Sequence, residues 1–246
     1  MRTIALYRSL GAIDARTVAR DSLLRWMVVL APAFGLLFRF GAPPATAVLR
    51  ERFGFDLEPY YVLLMSFLPL AVAGLMGSAV GFLLLDQRDD QTLTGLLVTP
   101  VSLGDYLRYR MAVLLLPTVA LSCLALALAG LTPVTPLQLV VTAIVAAPIA
   151  AIYGLSLASF AANKVQGFAL VKGAGIVLLP ALLSYFVAWP WQMAFGLVPH
   201  YWPLKVFWLF DAGAVAAALG HGVLGLTWQG VVLVLLARRF SQVVRR

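Results

Sequence analysis

The chain has 246 residues, of which 62% are hydrophobic and 11% are charged, and its formal net charge is +8. Soluble domains are about 45–50% apolar and about 25% charged, so this apolar excess cannot be buried in one soluble core. The basic residues lie at the ends of long apolar segments, which indicates membrane topology and excludes nucleic acid as the reason for the charge. The apolar runs do not alternate with polar residues, so we predict an all-α integral membrane protein and not a barrel.

Residues 1–21 are predicted to form a cytosolic interfacial helix. Leu6, Leu10 and Ile13 make an apolar stripe at helical spacing, and arginines gather beside that stripe. A helix of this kind lies in the membrane interface with its arginines near anionic headgroups. No cleavable signal peptide is expected, because this stretch is too long and too polar for one.

Six apolar segments are long enough to cross a bilayer, which takes about 20 helical residues. With the amino terminus inside, most of the basic residues flank the cytosolic ends of these segments, as the positive-inside rule requires. Both termini are therefore expected in the cytosol. We assign residues 22–240 to a transmembrane domain and residues 241–246 to a basic cytosolic tail. The predicted spans are 23–40, 60–85, 111–131, 137–160, 171–188 and 219–237.

The second span carries small residues that allow another helix to approach closely, namely Gly74, Gly77, Ser78 and Gly81. Two interpretations stay open: ordinary packing within the bundle, or a place in a dimer seam or in the passage of a substrate. No acidic or basic residue lies at mid-depth in any predicted span. That disfavours an ion channel and an ion-coupled transporter, and it suits an amphipathic cargo.

The loop between the second and third spans is the densest polar stretch of the chain. Asp89 and Asp90 stand where carboxylates cap the free amides of a helix start. Leucines then follow at helical spacing, and a Thr-Pro pair ends the short helix. Its apolar face either rests on the membrane or docks into a groove of a soluble partner. The candidate docking residues are Asp89, Asp90, Gln91, Thr92, Leu93, Leu96, Leu97, Thr99 and Pro100.

The segment between the last two spans, residues 189–218, is rich in aromatic residues and prolines. Trp and Tyr favour the headgroup layer, and prolines interrupt helices. We therefore expect short re-entrant outer helices that dip into the outer leaflet. The alternative is a plain loop within an aromatic belt.

The polar loop resembles the intracellular loop of ABC-2 type transporter permeases, the membrane subunits of a class of ATP-driven exporters. The pattern of that family is an acidic-basic-acidic cluster, then Gly-Thr, a Leu-rich turn, and Thr-Pro followed by a small or basic residue. Gln91 stands where glycine is usual, and aspartates replace the glutamates. The residues that match are Arg88, Asp89, Asp90, Thr92, Leu93, Leu96, Leu97, Thr99, Pro100, Val101 and Ser102.

The resemblance implies the permease subunit of a bacterial exporter in the inner membrane, moving a drug-like amphipathic molecule or a lipid. It also implies two copies of a separate ABC ATPase and a second permease chain, identical or homologous. No G-x-x-x-x-G-K-[ST] phosphate loop occurs in the sequence, so ATP and Mg are expected on the partner. We assign no catalytic residue, metal or cofactor to this chain.

Two functions other than export stay open on the sequence. Ser156, within Gly154-Leu-Ser156-Leu, resembles the serine context of rhomboid proteases, and His221 would be its partner. Such a pair must lie at hydrogen-bonding distance, yet Ser156 is expected toward the cytosol and His221 near the outer face. We expect Ser156 to bond back to a helix carbonyl instead. The second alternative is a permease-like sensor subunit without transport, which no residue distinguishes from an exporter.

Overall fold

The computed structural model describes residues 22–90 and 103–244, with side chains described from residues 29 and 104 onward in those two ranges. Every regular element in these ranges is a helix. The predicted interfacial helix at 1–21 and the predicted docking residues 91–100 lie outside them. The α-helices are α1 (Ser22–Phe53), α2 (Tyr61–Asp89), α3 (Leu103–Ala129), α4 (Pro136–Phe160), α5 (Lys164–Leu183), α6 (Tyr201–Asp211) and α7 (Val215–Val244). Short 3-10 helices cover Glu58–Tyr60, Ser184–Phe186 and Trp191–Leu197.

Five of the described helical segments are long and apolar enough to cross a membrane, and they correspond to the second to sixth predicted spans. The predicted first span, 23–40, lies within α1, which is not among the five. That helix continues past residue 40 to Phe53, with arginines in its last turn and three prolines inside it. The five segments are Glu58–Asp89, Gly104–Ala129, Pro136–Phe160, Lys164–Phe186 and Val215–Val244.

Tertiary contacts set several helix ends away from the predicted positions. α7 continues to Val244, so it includes the first residues of the predicted cytosolic tail. Phe240 and Val244 are buried there in one cluster with Leu84, Leu107 and Leu155 of three other helices. Full burial of an apolar side chain of this size is worth about 1.5–3 kcal/mol, which is enough to hold two additional helical turns.

The centre of the bundle is formed by α2 and α4, the helices with the largest buried share among the five. Glycines on α2 allow this close approach. A Cβ atom at Gly77 would lie 2.2 Å from the carbonyl oxygen of Ala150, and one at Gly81 would lie 2.8 Å from Leu157 Cβ. Ser78 is buried on the same helix. A Cβ at Gly74, the fourth small residue, would make only ordinary contact, at 3.8 Å from Tyr153 Cζ.

The small residues of the second span therefore pack α2 against α4 within this chain. A role for Gly74, Gly77, Ser78 and Gly81 in a dimer seam or a substrate passage stays a prediction.

Between α5 and α7 the chain folds back to the middle of the bundle. Trp228 Nε1 donates a hydrogen bond to the carbonyl oxygen of Leu197 at 3.0 Å, and Gln229 Nε2 donates to that of Pro199 at 3.3 Å. Gln229 lies about halfway along α7, roughly 20 Å from its first residue at 1.5 Å per residue. From there α6 returns beside α7, and Trp202 contacts Gly225, where a Cβ would lie 2.5 Å from the Trp202 Cβ.

Candidate functional site

The last turn of α2 bonds to three other helices through three consecutive side chains. Asp86, Gln87 and Arg88 contact α5, α3 and α4 respectively, and we call these residues the 86–88 cluster. The cluster comes immediately before the predicted docking residues. A movement of the loop would therefore act on α2 at the place where α2 is joined to its neighbours.

Arg88 makes the most extensive of these contacts. Its Nη1 donates to the carbonyl oxygen of Ala158 at 3.0 Å, and its Nη2 donates to those of Ala161 at 2.8 Å and Ala162 at 3.1 Å. Carbonyl groups at the end of a helix lack partners within the helix and carry the negative end of its dipole. The guanidinium group offers five donors in a fixed plane, so one side chain can serve all three oxygens. Only 18% of the Arg88 side chain is exposed.

The turn between α4 and α5 presents these carbonyl groups. α4 ends at Phe160, and Ala161 has extended backbone geometry. The Asn163 side chain caps α5 by accepting a hydrogen bond from the Gln166 amide at 3.0 Å. The Gln166 side chain accepts in turn from the Ala162 amide at 2.9 Å. These bonds hold the short turn between the helices in one conformation, with its oxygen atoms toward the guanidinium group.

Of the two remaining contacts of the cluster, the ion pair is exposed and the hydrogen bond is part-buried. Asp86 Oδ1 and Lys164 Nζ form an ion pair at 2.9 Å, which joins α2 to the first residue of α5. The Tyr106 hydroxyl donates to Gln87 Oε1, which joins α2 to α3. Exposed ion pairs are worth about 0–1 kcal/mol, so this one mainly positions α5 relative to α2. The hydrogen bonds of Arg88 contribute most of the free energy that holds α2 to its neighbours.

The structure places only the first two predicted docking residues. Asp89 is the last residue of α2, and Asp90 is its C-cap, with an amide that donates to the Asp86 carbonyl oxygen at 2.8 Å. Both therefore belong to a helix end. The docking role of residues 89–100 stays a prediction. Sequence reasoning used Arg88 only as part of a motif, and its position beside acidic residues was the available signal for an anchoring role.

A cavity of about 470 Å³ lies between α4 and α5, and Ser156 is one of its lining residues. In the part of the chain that the structure describes, Ser156 has no hydrogen-bond partner, so the expected bond to a helix carbonyl is not formed. His221 Nδ1 lies 2.8 Å from the Ala217 carbonyl oxygen within α7. No hydrogen bond joins Ser156 and His221 within the described ranges, and a serine protease site is not favoured.

Comparison with known proteins gives consistent results. Residues 14–237 match a family described as Fluoroquinolones export permease protein Rv2686c-like. Two relatives from Mycobacterium tuberculosis, Fluoroquinolones export permease proteins MT2760 (strain CDC 1551 / Oshkosh) and Rv2686c (strain ATCC 25618 / H37Rv), are each 34% identical over 203 residues. The alignment covers 81% of this chain and 80% of each relative. No solved structure matches the chain.

Proposed function

Because the chain belongs to the Rv2686c-like family of fluoroquinolones export permeases, it is the permease subunit of an exporter for drug-like molecules, and we propose that it exports a fluoroquinolone or a similar aromatic amphiphile. The apolar spans without mid-depth charges support such a cargo. The family implies an ABC ATPase as partner. ATP and Mg then bind that partner and not this chain.

The assembly that we propose has two ATPase copies and two permease chains. Each ATPase binds the loop at residues 89–100 of one permease. Six spans cross the inner membrane, with α1 as the first of them, an interfacial helix at 1–21 and both termini in the cytosol. The segment with α6 is re-entrant, which is supported by the bond between Gln229 and Pro199 halfway along α7.

The 86–88 cluster is the observation that supports the coupling mechanism. When ATP closes the partner dimer, the docked loop moves and pulls on the end of α2. Arg88 and its neighbours make α4, α5 and α3 follow α2 as one body, which opens or closes the path of the substrate. ATP can drive this step only if the partner binds the two states of the permease with different free energies.

Transport in reconstituted vesicles tests the function. Inside-out vesicles that contain the permease and its ATPase should accumulate a fluoroquinolone when ATP is added, and vesicles with either protein alone should not. Accumulation by the permease alone without nucleotide would contradict the proposal. A conformational change on ATP addition without any transport would instead favour the sensor subunit.

A further inference from the structure

The cavity between α4 and α5 has walls of different character. On the α4 side two aromatic residues, Tyr153 and Phe160, line it two turns apart. On the α5 side it is lined by three small residues, Ala169, Gly173 and Ala174, and by the larger Leu170 and Val177. The small residues of α5 leave space beside the aromatic residues of α4, and we call this space the slot.

The slot is a consequence of where α5 is held. Near its cytosolic end α5 lies against α2, where a Cβ at Gly167 would be 2.8 Å from the Phe82 ring. Farther along, a Cβ built on Gly173 meets no atom of the described chain within 4 Å. Of the residues of α5, which the structure describes throughout, only Gly167 and Ala181 are buried. α5 is thus close to the bundle at these two points and leaves space between them.

The slot has one polar end, formed by the segment that folds back before α6. His200 lines the cavity, is 5% exposed, and shares a hydrogen bond of 3.2 Å between its Nε2 and the Tyr153 hydroxyl. Its ring stands edge-on to that of Tyr153, with the centroids 5.6 Å apart. Burial lowers the pKa of His200 to about 4, so the ring is neutral near pH 7.

Two polar groups in the cavity lining have unused hydrogen-bonding capacity. His200 Nδ1 is buried and has no partner in the part of the chain that is described, and the Ser156 hydroxyl on the cavity wall has none either. Of the two, the His200 nitrogen is buried, and a buried polar group without a partner is rare in native proteins because it costs free energy. Both groups line an otherwise apolar cavity, which suggests that a bound ligand forms hydrogen bonds with them.

We propose that this cavity binds the exported molecule, a planar aromatic amphiphile whose rings lie between Tyr153, Phe160 and the small residues of α5 and whose polar group hydrogen-bonds near His200 and Ser156. The volume falls within the range of about 300–1,000 Å³ that is usual for small-molecule sites, which are mostly apolar with a few polar groups. This inference rests on the proposed function, since it names the site at which the exporter holds its substrate.

Filling the cavity tests the inference, and α5 offers a matched control. Gly173→Leu places a side chain in the slot. Gly175→Leu makes the same change two residues away, at a position outside the cavity where a Cβ also has no described neighbour within 4 Å. Binding of a fluoroquinolone to the purified complex with its ATPase is followed by the fluorescence of the drug. Gly173→Leu should weaken binding and ATP-driven transport at least tenfold, whereas Gly175→Leu should leave both within twofold of the unsubstituted protein.

A second pair of variants tests the polar end. Tyr153→Phe removes the hydroxyl that bonds His200, and it should weaken binding several-fold. Tyr185→Phe removes a hydroxyl outside the cavity and should have no such effect. Thermal unfolding of each purified complex shows whether a variant is folded. If a variant does not fold, the unsubstituted complex is labelled with a photoreactive fluoroquinolone to locate the binding site. The label should attach to α4 or α5 at the cavity.

The outcomes separate the inference from the proposed function. If the unsubstituted complex transports the drug and folded Gly173→Leu binds it equally well, the cavity is not the site and the exporter assignment stands. Labelling confined to other helices would overturn the cavity in the same way. If the unsubstituted complex neither binds nor transports any fluoroquinolone, both the proposed substrate and the inference fall.

Discussion

Replacing Arg88 with methionine tests whether the 86–88 cluster couples the loop to the transmembrane helices. The change removes three hydrogen bonds from a guanidinium group to the carbonyl oxygens of Ala158, Ala161 and Ala162. Hydrogen bonds to charged groups contribute about 1.5–3 kcal/mol each, but these oxygens lie at the end of α4 and recover water, so we expect a net loss of about 2–4 kcal/mol. A coupling free energy of about 3 kcal/mol corresponds to roughly 150-fold in an equilibrium constant.

The expected result is loss of coupling without loss of the partner. The Arg88→Met complex should still purify with its ATPase, because the predicted docking residues are unchanged, and it should still hydrolyse ATP. The number of drug molecules moved per ATP hydrolysed should fall at least tenfold. The assay is drug accumulation in inside-out vesicles, measured together with phosphate release from the same sample.

Arg108→Met is the matched control. It also removes one positive charge, but the Arg108 side chain is 80% exposed and its ion pair with Asp105 lies within α3. Transport per ATP should stay within twofold of the unsubstituted complex. A folded Arg88→Met complex that transports with normal coupling would refute the role of the cluster.

Three further predictions concern other parts of the molecule. Changing Leu96 and Leu97 together to aspartate should abolish co-purification of the ATPase while the spans still insert; unchanged co-purification would count against docking at this loop. Gly77→Val should lower the thermal unfolding midpoint by several degrees, because even a Cβ atom there would lie 2.2 Å from a carbonyl oxygen of α4, and Gly175→Val should have little effect; equal midpoints would show that α2 and α4 are not so close. The third prediction rests on His200, whose pKa is lowered from 6.5 to about 4 by burial. Below about pH 6.5 the His200 side chain takes up a proton in the unfolded chain, whereas in the folded chain it does not until about pH 4. The contribution of His200 to the free energy of unfolding is therefore complete above about pH 6.5 and decreases by about 2 kcal/mol between pH 7.5 and 5. His200→Gln should reduce the loss of thermal stability over that interval, and an identical loss in both proteins would contradict the assignment.

Hydropathy made five of the spans predictable, because a bilayer requires about 20 apolar helical residues and few other structures need such a run. The ends of the helices were less predictable, since they depend on side chains from distant parts of the chain. α7 extends to Val244 because Phe240 and Val244 are buried against Leu84, Leu107 and Leu155. The basic and polar composition of residues 241–246 predicted a tail in place of these last helical residues.

The candidate sites could be predicted only in part. The motif predicts a functional loop. The partners of Arg88, however, lie 70 to 74 residues away in the sequence and are backbone atoms, so residue types do not predict them. The cavity depends on the absence of a side chain at Gly173 and on the approach of His200 to Tyr153. Neither relation follows from periodicity, because both arise when separate helices pack together.

Linking the end of α2 to α4 tests the central claim most directly. In a protein with Cys123 replaced by alanine, Arg88→Cys and Ala161→Cys remove the arginine contact, and a short bifunctional thiol reagent then restores a bond between the two helices. If α2 and α4 move as one body, the unlinked protein should transport poorly and the linked protein should recover drug transport per ATP. Good transport before linking and its arrest afterwards would show that the helices must move apart, contrary to the mechanism proposed here.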